Sequence, residues 1–201
     1  MRYPTAYKTL CDFFPLPLNQ WLELESEVGE RQLHKGEWLL QPGERPTMAY
    51  QVCDGLCRSY YLSHEGKEFT KHFHGPGELL APLAELITGE PSRGYIQAVT
   101  PARVLTLPYL SLTRRYQGDR CWLELGRRLA EHIFLQKEVR EFELLQLNAE
   151  QRYGRYLERF SELVEQTPQY MIASYLGITP VALSRLISRR KNALQAGTDP
   201  R

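Results

Sequence analysis

Between residues 30 and 110 apolar and polar side chains exchange places every one or two positions, in runs too short for helices. Turn-forming breaks stand at Gly36, Pro42-Gly43, Asp54-Gly55, Glu65-Gly66 and Gly75-Pro76-Gly77. Breaks at that interval delimit the short antiparallel strands of a roll or barrel. The strand-like runs are 37–40, 49–53, 56–62, 69–73, 95–99 and 103–107. Alternation is clearest where Tyr95, Gln97 and Val99 share one face and Ile96 and Ala98 the other. Residues 78–86 break the rhythm and predict a short helical turn.

From about residue 119 to 147 the period becomes helical. Trp122, Leu125, Leu129 and Ile133 form one apolar stripe, and Leu135, Val139, Phe142 and Leu145 a second one displaced around the helix. At 1.5 Å per residue the helix spans roughly 40 Å. Two apolar faces need two coverings. One can be the β-region; the other is a second copy of the chain or a further element of the same one. Asn148 with Gln151 then reads as a capping box, followed by a stripe of Tyr153, Tyr156, Leu157, Phe160, Leu163 and Val164.

The segment 167–190, TPQYMIASYLGITPVALSRLISRR, carries the most specific signal. Thr167-Pro168 and Thr179-Pro180 each read as an N-cap followed by proline at the first helical position. Gly177 suits the left-handed turn between two short helices, and Ala173 is small where they cross. Ile172, Leu176, Ile178, Leu183 and Leu186 supply the apolar seam of a helix-turn-helix.

Charge sharpens this. The chain of 201 residues carries 25 Lys and Arg against 24 Asp and Glu. A net charge of +1 excludes a wholly basic nucleic-acid coat and a disordered acidic tail. Yet 168–197 contain Arg185, Arg189, Arg190 and Lys191 and no acid, a local +4 suited to phosphates. The second helix of such a motif enters the major groove, its first residues at base edges. Arg185 can fork onto guanine O6 and N7, while Val181 and Ala182 can meet a thymine methyl. Thr179 and Pro180 open the helix beside a phosphate, Ser188 and Arg189 face the backbone, and Ser184 completes the candidate set.

Composition is otherwise that of an ordinary globular protein, 42% hydrophobic and 24% charged. No run approaches the ~18 apolar residues of a membrane span. The start, with Pro4, Asp12, Pro15 and Pro17, lacks signal-peptide features. A cytoplasmic location is therefore expected, with Cys11, Cys53, Cys57 and Cys121 as reduced thiols too scattered for an iron–sulfur cluster. No Gly-x-Ser-x-Gly occurs and no nucleophile has a His partner the sequence can identify, so no catalysis is expected.

A rival lies in Gly66-x5-His72-x-His74-x3-Glu78, which nearly matches the first metal motif of cupins. Imidazoles at i and i+2 share a strand face, and a carboxylate beyond can complete an Fe or Mn site. The motif's closing Gly is Glu85, however, and the β-region offers no later His. A cupin also leaves 119–190 unexplained. The preferred reading is two strand histidines beside a turn, with no metal; a cupin-like metalloenzyme using His72, His74 and Glu78 is the alternative. His34, His64 and His132 have no spacing partner.

A β-roll, a long helix and a helix-turn-helix ending SRLISRR resemble the Crp/Fnr family of bacterial transcription regulators. The likeness runs from about residue 30 to 190 and includes KGE at 35–37, PGE at 42–44, DGLCRSYY at 54–61, EGKE at 65–68 and GPGE at 75–78. TGEPSRGYIQA at 88–98 and PQYMIASYLGITP at 168–180 point to one subgroup. The resemblance implies an α+β fold with three parts. These are an antiparallel, jelly-roll-like β-roll sensor over 1–118 with an N-terminal helical segment, a dimerisation helix over 119–147, and a helix-turn-helix DNA-binding domain over 148–201. Eleven residues follow Arg190, so the usual wing is expected to be missing or vestigial.

It further implies a homodimer on double-stranded DNA, at a pseudo-palindromic operator with half-sites about one turn apart. RNA polymerase would be a further partner; no cofactor and no membrane are implied. Members that bind cyclic nucleotides open a cassette with Gly-Glu-Leu and close it with Arg-Ser/Thr-Ala, the Arg gripping the phosphate. Gly77-Glu78-Leu79 matches the opening, but Ser92 occupies the Arg position, and Arg93 is followed by Gly94-Tyr95. The expected effector pocket is thus Glu78, Leu79, Ser92 and Arg93; its effector is unidentified, and the missing Arg disfavours cyclic AMP. Val181 stands where the family often has Glu, which removes an acceptor for cytosine N4.

Overall fold

The alternating residues of the β-region turn one set of side chains inward between two four-stranded antiparallel sheets. The strands are β1 (Gly29–Leu33), β2 (Trp38–Leu40), β3 (Met48–Asp54), β4 (Cys57–Leu62), β5 (Glu68–His74), β6 (Leu79–Leu80), β7 (Tyr95–Ala98) and β8 (Ala102–Pro108) in a computed structural model that describes residues 1–195. One sheet runs β1-β8-β3-β6 and the other β2-β7-β4-β5. Leu33, Leu40, Val52, Cys57, Ile96 and Val104 fill the space between them. The predicted helical turn at 78–86 splits in two. Leu79 and Leu80 pair with Gln51 and Tyr50, and only after Pro82 does helix α3 (Leu83–Thr88) begin.

The β3–β4 turn needs its glycine. Gly55 has φ +78°, and a Cβ there would stand 2.1 Å from the Pro101 carbonyl oxygen. Gly55→Ala is expected to cost about 1–3 kcal/mol from backbone strain alone, with the overlap added. A urea midpoint within error of wild type would contradict this.

Helices α1 (Pro4–Phe13) and α2 (Leu18–Glu25) lie with α4 (Tyr109–Gly118) against the first half of α5 (Arg120–Gln146). Trp21, Leu24, Leu105, Trp122 and Leu125 form that core. Helices α1, α2 and α4 fully bury one or two residues apiece, and β1 buries only Leu33, so their sequence patterns are faint. Helix α6 (Ala149–Phe160) opens with the reciprocal Asn148–Gln151 capping box.

A short turn leads to α7 (Gln169–Leu176) and α8 (Pro180–Gln195), whose axes bend by 98°. Such a bend is the helix-turn-helix crossing. Gly177, at φ +68°, lets its own N–H reach Ser174 O and Ile178 N–H reach Ala173 O, closing a Schellman turn. Thr179 caps α8 as its sequence suggests, its Oγ1 accepting from Ala182 N at 3.2 Å. Thr167 does not cap α7. Its buried hydroxyl donates back to Leu163 O at 2.7 Å, and Pro168 takes the N-cap position. Helix α8 occupies the place where a wing would start; 196–201, the rest of the span on which a missing wing is expected, lie outside the described residues.

The core of the helix-turn-helix is not its own. Leu56, Phe73 and Val99 of the roll join Tyr156, Phe160, Tyr175, Leu176 and Leu183 in one cluster. The three C-terminal helices therefore sit on sheet β2-β7-β4-β5 as part of the same packed interior.

Candidate nucleic-acid interface and sensor pocket

Leu183 and Leu186 anchor α8, which turns its other side outward. Thr179, Pro180, Val181, Ala182, Ser184, Arg185, Ser188 and Arg189 are all exposed. Among the described residues neither Arg185 nor Arg189 is paired with an acid. Both guanidinium groups are thus available to phosphate or base. Ser188 donates its hydroxyl to Ser184 O at 3.0 Å, leaving its lone pairs facing outward.

Three contacts hold this reader in place. Ser174 Oγ donates to Glu68 O at 2.7 Å and accepts from Thr70 N at 2.9 Å, joining α7 to the edge strand β5. From α5, Arg140 donates to Tyr175 O and lies 3.8 Å over the Tyr175 ring. Arg152 Nε donates to Leu176 O at 2.9 Å. The long helix and the roll therefore both grip the turn that carries α8. The sequence could not show these partners, because each contact joins positions far apart in the chain.

The expected effector residues separate. Ser92 is buried, with its Oγ donating to Gly94 O at 2.9 Å, and lines a cleft of about 70 Å³ with Ser59, Lys71, His74, Glu85 and Tyr95. Arg93 is exposed and does not line it. Leu79 faces a different, apolar cleft of about 320 Å³ between the roll and α5. Glu78 turns toward His72 and His74. Arg58, buried beside the cleft strands, is paired with Glu68 at 2.6 Å and stacks on Tyr60.

Glu78 Oε2 lies 3.7 Å from His72 Nε2 and 4.0 Å from His74 Nδ1. His74 Nε2 sits 3.1 Å from Ser59 Oγ, while its buried Nδ1 has no hydrogen-bond partner. Burial, with His72 and Lys71 nearby, holds His74 neutral, well below the usual histidine range. Burial also raises the Cys53 thiol and pushes Cys57 up to about 12, so these two neighbours are protonated thiols.

Comparison with known proteins agrees with the architecture. Residues 30–119 match the cyclic nucleotide-binding domain family. The chain is 26% identical over 196 residues to the anaerobic regulatory protein of Aggregatibacter actinomycetemcomitans, covering 90% of this chain and 74% of that one. Against the fumarate and nitrate reduction regulatory protein of Vibrio cholerae it is again 26% identical over 196 residues, with coverage of 90% and 76%. FixK2 from Bradyrhizobium japonicum shares the fold at a TM-score of 0.70 and 23% identity, over 82% of this chain and 85% of that one. These matches give the cupin-like enzyme no support, since they account for the β-region and for the helices beyond it together. With a match to the cyclic nucleotide-binding domain family at 30–119, a helix-turn-helix behind it and regulatory proteins as its relatives along most of its length, the chain is similar to transcription regulators throughout.

Proposed function

We propose that the chain is a Crp/Fnr-type transcription regulator that binds a pseudo-palindromic operator as a homodimer, and that events in the roll set its affinity for that DNA. The observation that carries the reading is the outward, acid-free face of α8, with Arg185 and Arg189 unpaired among the described residues. Two-fold pairing is supported by α5. Its first stripe is buried at Trp122 and Leu125 and half-buried at Leu129 and Ile133, while Leu135, Val139, Phe142 and Leu145 remain 45–71% exposed. A helix face of that kind marks an interface. Residues 1–118 would then sense, 119–147 dimerise and 148–201 read DNA in the cytoplasm, with RNA polymerase as a further partner and no catalytic step.

The effector is a small molecule other than cyclic AMP. Ser92 brings no charge to a cyclic phosphate, which removes the charge-assisted contact that would hold it. Transmission needs no long relay, because α7 rests on β5 and α5 grips Tyr175. A coupling of ~1–3 kcal/mol between roll and reader gives a roughly 5- to 150-fold change in operator affinity.

The test is selection of bound sequences from random duplexes, followed by anisotropy on the selected site. Arg185→Ala is expected to lose ~1–3 kcal/mol on that site and relax one base pair, whereas Arg189→Ala lowers the salt slope by about one. Equal losses on selected and random duplexes for Arg185→Ala would refute its base-reading role.

A further inference from the structure

We propose that His72, His74 and Glu78 hold a divalent transition-metal ion of the Zn2+ or Fe2+ type, and that the ion is a signal read by the DNA-binding helices. The signalling half rests on the operator-binding reading above; the site stands on its geometry. Two imidazoles and one carboxylate are the donor set of three-ligand Zn2+ sites and of the facial Fe2+ triad. Their ligand atoms lie within 4.8 Å of one another. Ligands at ~2.0–2.2 Å around a tetrahedral ion stand roughly 3.4 Å apart. The two pairs to Glu78, at 3.7 and 4.0 Å, therefore need to close by a few tenths of an ångström. The His72–His74 pair, within 4.8 Å, needs to close by little more than an ångström at most, by side-chain rotation.

The surroundings fit an ion better than they fit a bare histidine pair. His74 Nδ1 is buried, without a hydrogen-bond partner, and directed to the Glu78 carboxylate. Ser59 Oγ occupies the opposite ring nitrogen, the arrangement by which an outer partner fixes the tautomer of a metal-bound imidazole. Glu78 is steadied by Gly75 N–H, which donates to its Oε2 at 3.2 Å. Partial exposure of Glu78 leaves a path for the ion and a position for water.

The cluster also touches the reader. The His72 ring meets Phe160 edge-on at 5.7 Å. A Cβ on Gly75 would lie 3.2 Å from the Leu163 side chain, so the turn bearing Glu78 is packed beneath the short turn that follows α6. Drawing Glu78 and His72 onto an ion moves the surface on which the C-terminal helices rest.

The experiment titrates EDTA-treated full-length protein with ZnCl2 by calorimetry, with MgCl2 as the hard-ion control. One Zn2+ per chain is expected, and no Mg2+. His72→Gln and Glu78→Gln should each weaken Zn2+ binding by more than the ~10–100-fold typical of losing an outer partner. His64→Gln, on the exposed β4–β5 loop, should leave binding unchanged; thermal melts establish that each variant is folded. No stoichiometric Zn2+, or equal binding by folded His72→Gln and Glu78→Gln, overturns the site. Operator anisotropy with and without Zn2+ then reads the second half. A roughly 5- to 150-fold shift, absent in His72→Gln, supports it; Zn2+ binding with no shift overturns signalling and keeps the site. Failure to bind any selected duplex overturns the operator reading and the signalling half with it, while the titration still decides the site.

Discussion

Phe73→Ala is expected to lower unfolding free energy by about 3–5 kcal/mol and to loosen the helix-turn-helix from the roll. The side chain is fully buried, with ring centroids 6.0 Å from Tyr156, 5.8 Å from Phe160 and 5.6 Å from Tyr175. All three neighbours belong to the C-terminal helices, whereas Phe73 is a residue of β5. Truncation leaves a cavity walled by rigid rings, and such a site collapses poorly, which places the cost toward the upper end. The ring is also the largest roll side chain in the core shared with the reader, so without it the wild-type single melting transition should split in two. Hydrogen exchange should find α7 deprotected before β3 and β8. One transition with a loss under 1 kcal/mol would mean that the roll and the reader are not held by this core.

The same residue marks where sequence reasoning stops. Periodicity reports which side of an element is buried and is silent on what buries it. Phe73 sits in a strand whose alternation is broken by a register shift opposite Ser59 and Tyr60, and Tyr156 and Phe160 in a clear helical stripe, yet nothing in either pattern says that they meet. Local devices are legible because their partners are close in the chain: the Asn148–Gln151 box, the Gly177 turn and the Thr179 cap. Thr167 misleads because its hydroxyl has a competing local acceptor at Leu163 O. The effector residues follow from register with a family cassette. In three dimensions the cassette's opening, Glu78-Leu79, points one residue to a histidine pair and the next to an apolar cleft. The His72–His74 spacing is visible in the sequence. The orphaned Nδ1 of His74, the Ser59 contact and the Phe160 ring are not, since they depend on strand pairing and on the docking of α6.

Leu135→Asp with Phe142→Asp is expected to make the protein monomeric while leaving the protomer folded. Both side chains are about 60% exposed, on a different side of α5 from Arg140, which meets Tyr175. Surface changes of that kind usually alter protomer stability by ~0.5 kcal/mol or less. In a two-fold interface each substitution occurs twice. Four carboxylates would then be buried across an apolar seam without partners, each at a cost of several kcal/mol. The dimer dissociation constant should rise by well over ~1,000-fold, which corresponds to about 4 kcal/mol. Operator binding should fall with it, because a second reader tethered at the correct spacing contributes ~100- to 10,000-fold beyond a single half-site. The measurements are sedimentation velocity at micromolar concentration and anisotropy on full and half operators at one fixed ionic strength. Wild type should prefer the full site and the variant should bind both alike, weakly, with its melting temperature retained. A wild-type monomer, or a variant that still sediments as a dimer, would move the interface off this face of α5. The exposed apolar stripe would then need a different cover, and the spacing of the two recognition helices a different origin.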